Sequence, residues 1–242
     1  MTAVTELVAG CDDPLVAVTC GPARIIVMNR PNARNALTRQ MRRDFPAIIG
    51  AADGDDAVSA LILTGADPAF SAGVDLKERA SGKSTPIKPN PAEVLRAARK
   101  PIIAAVNGAC VTGALEMALS CSFIVASSEA RFADTHAKVG IVPRWGQTAL
   151  LPNAIGIRRA RQMMLTGAFI DAQTALEWGL VNEVVGREQL LDRCLELAGQ
   201  IAGADTKSVA SQLRALREID AAALSAGLVA EERVLAQWDL ER

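Results

Sequence analysis

Three stretches of this chain contain almost no polar side chain: Val58-Ser-Ala-Leu-Ile-Leu-Thr64, Pro101-Ile-Ile-Ala-Ala-Val106 and Ser122-Phe-Ile-Val-Ala126. Each has the length of a β-strand, and none shows the alternation of a strand with one wet face. Each therefore predicts a strand covered on both sides. The first two end in Gly-containing turns that lead into helical pattern, and strand, turn and helix in alternation make an α/β core. Two shorter strands are expected before them. Leu15 to Cys20 alternates, Gly21-Pro22 turns the chain, and Arg24 to Met28 returns. From Thr38 to Ile49 the spacing predicts a helix with Leu37, Met41, Phe45, Ile48 and Ile49 on one side, kinked or shortened by Pro46. Residues 80–91, ASGKSTPIKPNP, predict a mobile surface loop rather than a domain boundary.

The filling of such a core must be aliphatic. Half of the 242 residues are hydrophobic, yet aromatics make up 3% and there is no Tyr. That length suits one large domain, or a domain with an appendage. Acidic and basic residues nearly balance, at a net charge of −1, so no basic excess points to nucleic acid. The cluster Arg158, Arg159 and Arg161 reads as a solvated helix face. Cys11, Cys20, Cys110, Cys121 and Cys194 are scattered without CxxC spacing, which argues against zinc and for reduced thiols in a cytoplasmic protein. The N-terminal residues lack a signal-peptide pattern, and no apolar run reaches the roughly 18 residues of a membrane span, so no membrane partner is expected.

After residue 186 only helical pattern remains. Leu190, Leu191, Cys194, Leu197, Ala198 and Ile201 form one apolar stripe, and further helices are expected near 208–217 and 221–238. The chain thus divides into a core, residues 1–186, and a helical oligomerisation region, residues 187–242.

Two turns carry the chemistry. In Ala69-Phe-Ser-Ala-Gly-Val-Asp-Leu-Lys-Glu78, the pair Ala72-Gly73 follows an extended segment and precedes a short helix that Asp75 can cap. A structural turn and a binding turn fit this stretch equally. In Val106-Asn-Gly-Ala-Cys-Val-Thr-Gly-Ala-Leu-Glu-Met117 a buried strand ends and a helix begins near Thr112. The N–H groups of Gly113 and Ala114 then lack intrahelical partners and lie at the positive end of the helix dipole. If N–H groups of both turns converge on one thioester carbonyl, they form an oxyanion hole for an enolate. Glu116, one turn further, serves either the helix dipole or an acid/base role. A capping box with Thr112 would want the acid at 115, which is Leu.

In order and spacing the chain resembles the enoyl-CoA hydratase/isomerase family, the crotonase superfamily. The likeness covers most of the chain. It lies in Asn29-Arg-Pro-Asn-Ala-Arg-Asn-Ala-Leu37, Phe70 to Glu78, Val106-Asn-Gly108 through Gly113 and Glu116, Phe132 to Pro143, Leu165-Thr-Gly167, and Ala175 through Val185. The resemblance implies a spiral of repeated ββα units with C-terminal helices that build a trimer or hexamer. It implies acyl-CoA substrates, with coenzyme A part of the substrate and no metal or redox cofactor. It implies Ala72 and Gly113 as oxyanion donors, Glu116 as first catalytic glutamate, and CoA or acyl contacts from Asn32, Ala33, Arg34, Ala72, Asp75, Leu76, Gly113 and Trp145.

Two departures stand out. The second hydratase glutamate would fall twenty residues beyond Glu116, and His136, the only histidine, stands there. It faces the acyl end of the site, or else its ring is tied to Asp134, Thr135 or a backbone carbonyl. The Gly-rich turn that usually follows the Pro reads Pro143-Arg-Trp-Gly146, so Trp145 narrows the acyl pocket or packs in the core. Family members also commonly continue into a basic, aromatic segment near a neighbour's CoA, a contact not expected from the residues up to Arg242. The reading that follows is hydration of a trans-2-enoyl-CoA to a 3-hydroxyacyl-CoA. The alternatives are another crotonase-type reaction (double-bond isomerisation or thioester hydrolysis) and an acyl-CoA-binding protein with little catalysis.

Overall fold

A computed structural model describes residues 4–81 and 86–240. Strands β1 (Leu15–Cys20) and β2 (Ala23–Met28) form an antiparallel hairpin. β2 then pairs in parallel with β3 (Ala60–Gly65), and the sheet continues through β5 (Ile102–Val106), β7 (Phe123–Ser127) and β10 (Glu183–Val185). The three apolar runs are β3, β5 and β7, at the centre of the sheet. A second sheet joins β4 (Ala69–Ser71), β6 (Ala109–Val111), β8 (Arg131–Ala133) and β9 (Ile170–Asp171). The chain passes from β3 to β4 and then helix α3 (Leu76–Ala80), and from β5 to β6 and then α5 (Gly113–Leu119). These are the repeated ββα units expected from the resemblance.

Alternate residues of the central strands face opposite sides of the large sheet. Ile26, Met28, Leu61, Leu63, Ala104 and Val106 join a core with Phe45, Phe70 and Phe132. Ile25, Val27, Ala60, Ile62, Ile103 and Ala105 join a second core with Leu190, Leu191, Cys194 and Ala198 of α9 (Leu190–Ala202) and with Val4 of α1 (Val4–Leu7). The α9 stripe is therefore spent on this chain's own sheet.

Helix α2 (Arg39–Asp53) begins where the sequence predicts, with the Thr38 side chain accepting from the Met41 N–H. Pro46 neither ends nor divides it. Its ring leaves the Arg42 carbonyl without the usual donor four residues on, and burial of Met41, Phe45 and Ile49 carries the helix through. Of the loop expected over 80–91, residues 82–85 lie outside the described residues. Asn90 and Glu93 form a capping box at the start of α4 (Pro91–Ala97). Helices α6 (Gln147–Ile155), α7 (Ile157–Thr166) and α8 (Ala172–Trp178) follow the second sheet's third strand. The two helices expected near 208–217 and 221–238 are one continuous helix, α10 (Thr206–Leu240). No residue between them breaks a helix: the intervening Glu218 to Ala221 has neither Gly nor Pro.

Candidate active site

A cavity of about 660 Å³ opens between α3, α5, the segment 135–145 and α10, and its wall includes Ala72, Val74, Gly113, Glu116, His136 and Trp145. The turn at 71–75 is held by the loop before α2. The Ser71 hydroxyl donates to the Asn35 carbonyl, and the Ala72 N–H donates to the Arg34 carbonyl at 2.9 Å. This second bond corrects the expected donor pair: the Ala72 N–H is already engaged and turned away from a ligand. The neighbouring bonds show which N–H is open. Leu37 donates to the Gly73 carbonyl and accepts from the Asp75 N–H, so the two bonds straddle Val74. In a parallel bridge of this kind the straddled residue points its own N–H away from its partner. The Val74 N–H has no acceptor among the described residues.

The turn lies directly against Gly113. A Cβ on Gly73, whose φ is +82°, would sit 2.3 Å from Thr112 Oγ1 and 3.1 Å from the Gly113 nitrogen. Only Gly permits that approach. Gly113 is the first residue of α5, so its N–H has no acceptor within the helix. Val74 and Gly113 thus present two open donors at the cavity wall. Thr112 makes the turn between them at φ 53° and ψ −118°, a conformation that suits Gly and strains a β-branched residue.

Glu116 is almost wholly buried. Its Oε1 accepts from the N–H groups of Trp145 at 2.7 Å and Gln147 at 3.2 Å, which fixes the carboxylate's orientation. Oε2 is left facing His136 Nε2 at 3.7 Å. Burial pushes the Glu116 carboxyl up to about 7; nearby His136 and the two N–H donors pull it down, while the charge of Glu231 pushes it further up. The His136 ring is tied as well as placed. Asp134 Oδ1 accepts from the His136 backbone N–H at 3.0 Å and lies 2.6 Å from Nδ1. Since the carboxylate is an acceptor, Nδ1 carries a proton, and Nε2 is the ring nitrogen turned toward Glu116. Burial lowers the basicity of His136, but the Asp134 hydrogen bond and the charges of Glu116 and Asp134 outweigh it and raise the pKa. His136 is thus on the cavity wall and tied to Asp134 as well. Among the described residues no cluster of three or more His, Cys, Asp or Glu side chains is arranged to hold a metal ion.

The family model for enoyl-CoA hydratase/isomerase matches residues 23–239. The chain belongs to the enoyl-CoA hydratase/isomerase family. It is similar to the probable enoyl-CoA hydratase of Rhizobium meliloti, 35% identical over 92% of this chain and 88% of that protein. It is similar to the 2,3-dehydroadipyl-CoA hydratase of Escherichia coli, 36% identical over 87% of this chain and 84% of that one. Among solved structures, the enoyl-CoA hydratase of Mycobacterium tuberculosis H37Rv superposes with a TM-score of 0.89, at 43% identity, covering 95% of this chain and 97% of that chain.

Within this hydratase/isomerase frame the remaining expected residues separate. The Trp145 indole lies over Gly113: a Cβ there would come within 2.9 Å of ring atom Cζ3. The ring packs in the core and also forms a wall of the cavity. Leu76 lines the cavity. Asp75 accepts from the N–H groups of Lys77 and Glu78 and pairs with Arg30 at 3.0 Å, so it caps α3 and ties down the loop. Asn32 and Arg34 are exposed and Ala33 half-buried, and none is on the cavity wall. That loop meets the site through backbone bonds and through Asn35, whose buried side-chain amide donates to the carbonyls of Ala66 and Ala69. Sequence reasoning missed Val74 and Glu231, and it named Asp134 as one of three possible partners of the ring, the one the structure selects. Asp134 carried a signal, a carboxylate two residues before the histidine. Glu231 carried none.

Proposed function

We propose that the protein hydrates the double bond of a trans-2-enoyl-CoA to give a 3-hydroxyacyl-CoA. The observation that carries this is the placement of one oriented, buried carboxylate, Glu116, beside the open N–H pair of Val74 and Gly113. In this reading the two N–H groups take the thioester oxygen and stabilise the enolate that forms when water adds at C3. Glu116 Oε2, the oxygen not held by the protein backbone, deprotonates that water. His136 Nε2, aimed by Asp134, accepts a hydrogen bond from the same water and shares its proton with Glu116. The proton returns to C2. The substrate carries coenzyme A as its handle, and Arg42, Arg79 and Lys88 at the cavity supply positive charge for its phosphates. No other cofactor enters the scheme.

The same reading includes a homotrimer or hexamer and a cytoplasmic location. It includes no nucleic-acid or membrane partner. Exposed Leu216, Ile219, Val229 and Val234 on α10 support association, and five free cysteines support a reducing compartment. Among the described residues no helix is long and apolar enough to cross a membrane.

The test is incubation with crotonyl-CoA and identification of the product. 3-Hydroxybutyryl-CoA, formed by the native protein and lost in Glu116→Gln, is expected. Binding without turnover across an acyl-length panel would make it an acyl-CoA-binding protein. Conversion of a 3-enoyl-CoA to the 2-enoyl isomer, without hydration, would make it an isomerase.

A further inference from the structure

The four consecutive backbone N–H groups at 145–148 are divided between two carboxylates from opposite sides. Trp145 and Gln147 donate to Glu116 of α5. Gly146 donates to Glu231 Oε1 at 2.7 Å and Thr148 to Glu231 Oε2 at 2.9 Å, and the Thr148 hydroxyl donates to Oε2 as well. These are the N–H groups at the start of α6, whose N-cap Gly146 has φ +108° and no side chain to cap with. Every one of the four has a carboxylate acceptor, and each carboxylate takes alternate donors.

Glu231 comes from α10, 85 residues beyond Gly146. It is buried, and it is not on the cavity wall, whereas its neighbour Glu232 is. It therefore cannot act on the substrate by contact. Helix α10 reaches this turn by a close approach: a Cβ on Gly227 would lie 2.9 Å from the Ala149 Cβ. Arg144, just before the turn, pairs with Asp239 further along the same helix. So α10 holds the turn from one side while α5 holds it from the other.

We propose that Glu231 is a positioning residue for Glu116, acting through the 145–148 turn that both carboxylates grip. The proposal rests on Glu116 being the base of the hydration reading. Fixing Oε1 of Glu116 requires the N–H groups of Trp145 and Gln147 to stay in place. Those N–H groups share a rigid first turn with the two that Glu231 holds. The charged groups facing Glu116 are His136 and Asp134 on the preceding segment, Arg96 on α4, which donates to the Trp145 carbonyl at 3.0 Å, and Glu231 on α10. Of these, Glu231 alone among the acids grips the turn.

The experiment is the pH profile of kcat/KM for crotonyl-CoA in Glu231→Gln, alongside native protein and Glu116→Gln. The glutamine keeps the size, loses the charge and turns an amide NH2 against a backbone donor. The expected result is a fall in kcat of about tenfold or more, the scale on which small misplacements act, with KM within about twofold. The acid limb is expected to move to lower pH, because a negative neighbour of Glu116 is gone. A folded Glu231→Gln variant with native kcat and a superimposable profile would overturn the proposal, whatever its melting temperature. If that variant does not fold, Gly227→Ala decides, since Ala is well tolerated inside a helix. The added methyl should displace α10 from α6 and lower kcat, and Ala149→Gly in the same chain should restore it. Native kcat in Gly227→Ala, or no recovery in the double variant, overturns the proposal. Failure of the hydration reading is separate: it appears as a native protein that does not hydrate, or as an active Glu116→Gln.

Discussion

His136 Nε2 and Glu116 Oε2 face each other at 3.7 Å inside the protein. The far side of the ring is anchored on Asp134, whose Oδ1 lies 2.6 Å from Nδ1, so the imidazole stands between two carboxylates. His136 and Glu116 are therefore coupled, and the charge on each shifts the titration of the other.

For catalysis this sets a direction. Glu116 must lose its proton to act as base, and burial has pushed it up to about 7. Hydration is expected to rise through that pH as Glu116 ionises. His136→Ala removes the positive neighbour that pulls Glu116 down, so its acid limb should move to higher pH while kcat/KM drops by more than about tenfold. His136→Glu should raise turnover if the cavity accepts a second carboxylate. Initial rates on crotonyl-CoA from pH 5.5 to 9 check both. A His136→Ala profile within about twofold of native throughout would assign the ring a purely structural role.

Stability should run the other way with pH. The folded pKa of Glu116 lies above its ordinary 4.5. The folded state thus favours the protonated form, and that contribution is complete below about 4.5 and lost as pH rises to about 7. His136, also raised, loses its contribution at pH above its ordinary 6.5. Glu116→Gln cannot ionise, so its urea-unfolding free energy should gain on the native protein as pH climbs from 4.5 to 7. Equal slopes in the two proteins would contradict the buried carboxyl's shift.

The donor pair can be separated by proline scanning. Val74→Pro removes an N–H that binds no group in the described protein, and should fold while losing ~10²–10³ in kcat. Ala72→Pro breaks the bond to the Arg34 carbonyl and should cost about 1 kcal/mol of stability. Near-native kcat in a folded Val74→Pro protein would remove Val74 from the oxyanion hole.

Thr112→Gly should stabilise the fold. The native φ of 53° and ψ of −118° suit Gly, and relief of strain exceeds the entropy cost by about 1 kcal/mol. A lower melting temperature for this variant would show that the Thr112 hydroxyl, which donates to the Val111 carbonyl at 2.7 Å, outweighs the strain.

Association is checked by light scattering. The apolar residues exposed on α10, Leu216, Ile219, Val229 and Val234, should be covered in a trimer or hexamer at micromolar concentration. A monomer would reject it.

The central strands were readable because burial on both faces leaves an unmistakable apolar run. Strands β4, β6, β8 and β9 are two or three residues long and hold no period to detect. The family motifs located Gly113 and Glu116, and the place of the family's second glutamate, twenty residues beyond Glu116, pointed to His136. What failed was the assignment of the first donor to Ala72, whose N–H is bonded to the Arg34 carbonyl, with Val74 not considered. Which N–H stays open there depends on Leu37, more than thirty residues earlier, and no local pattern encodes that pairing. The joining of two predicted helices into α10 hid Glu231 in the same way: its partner lies in another part of the chain.

The alternation of residues through the large sheet separates this molecule into two compartments. Val74 and Trp145 of the cavity wall pack with the core that holds Ile26, Leu63 and Val106, and no wall residue belongs to the core that Ile25, Ile62, Ile103 and the α9 stripe fill. A truncation such as Leu191→Ala should cost roughly 2–5 kcal/mol without altering rates or acyl preference in the protein that remains folded. The α9 compartment is thus open to mutational drift and to engineered stabilisation that need not trade against chemistry.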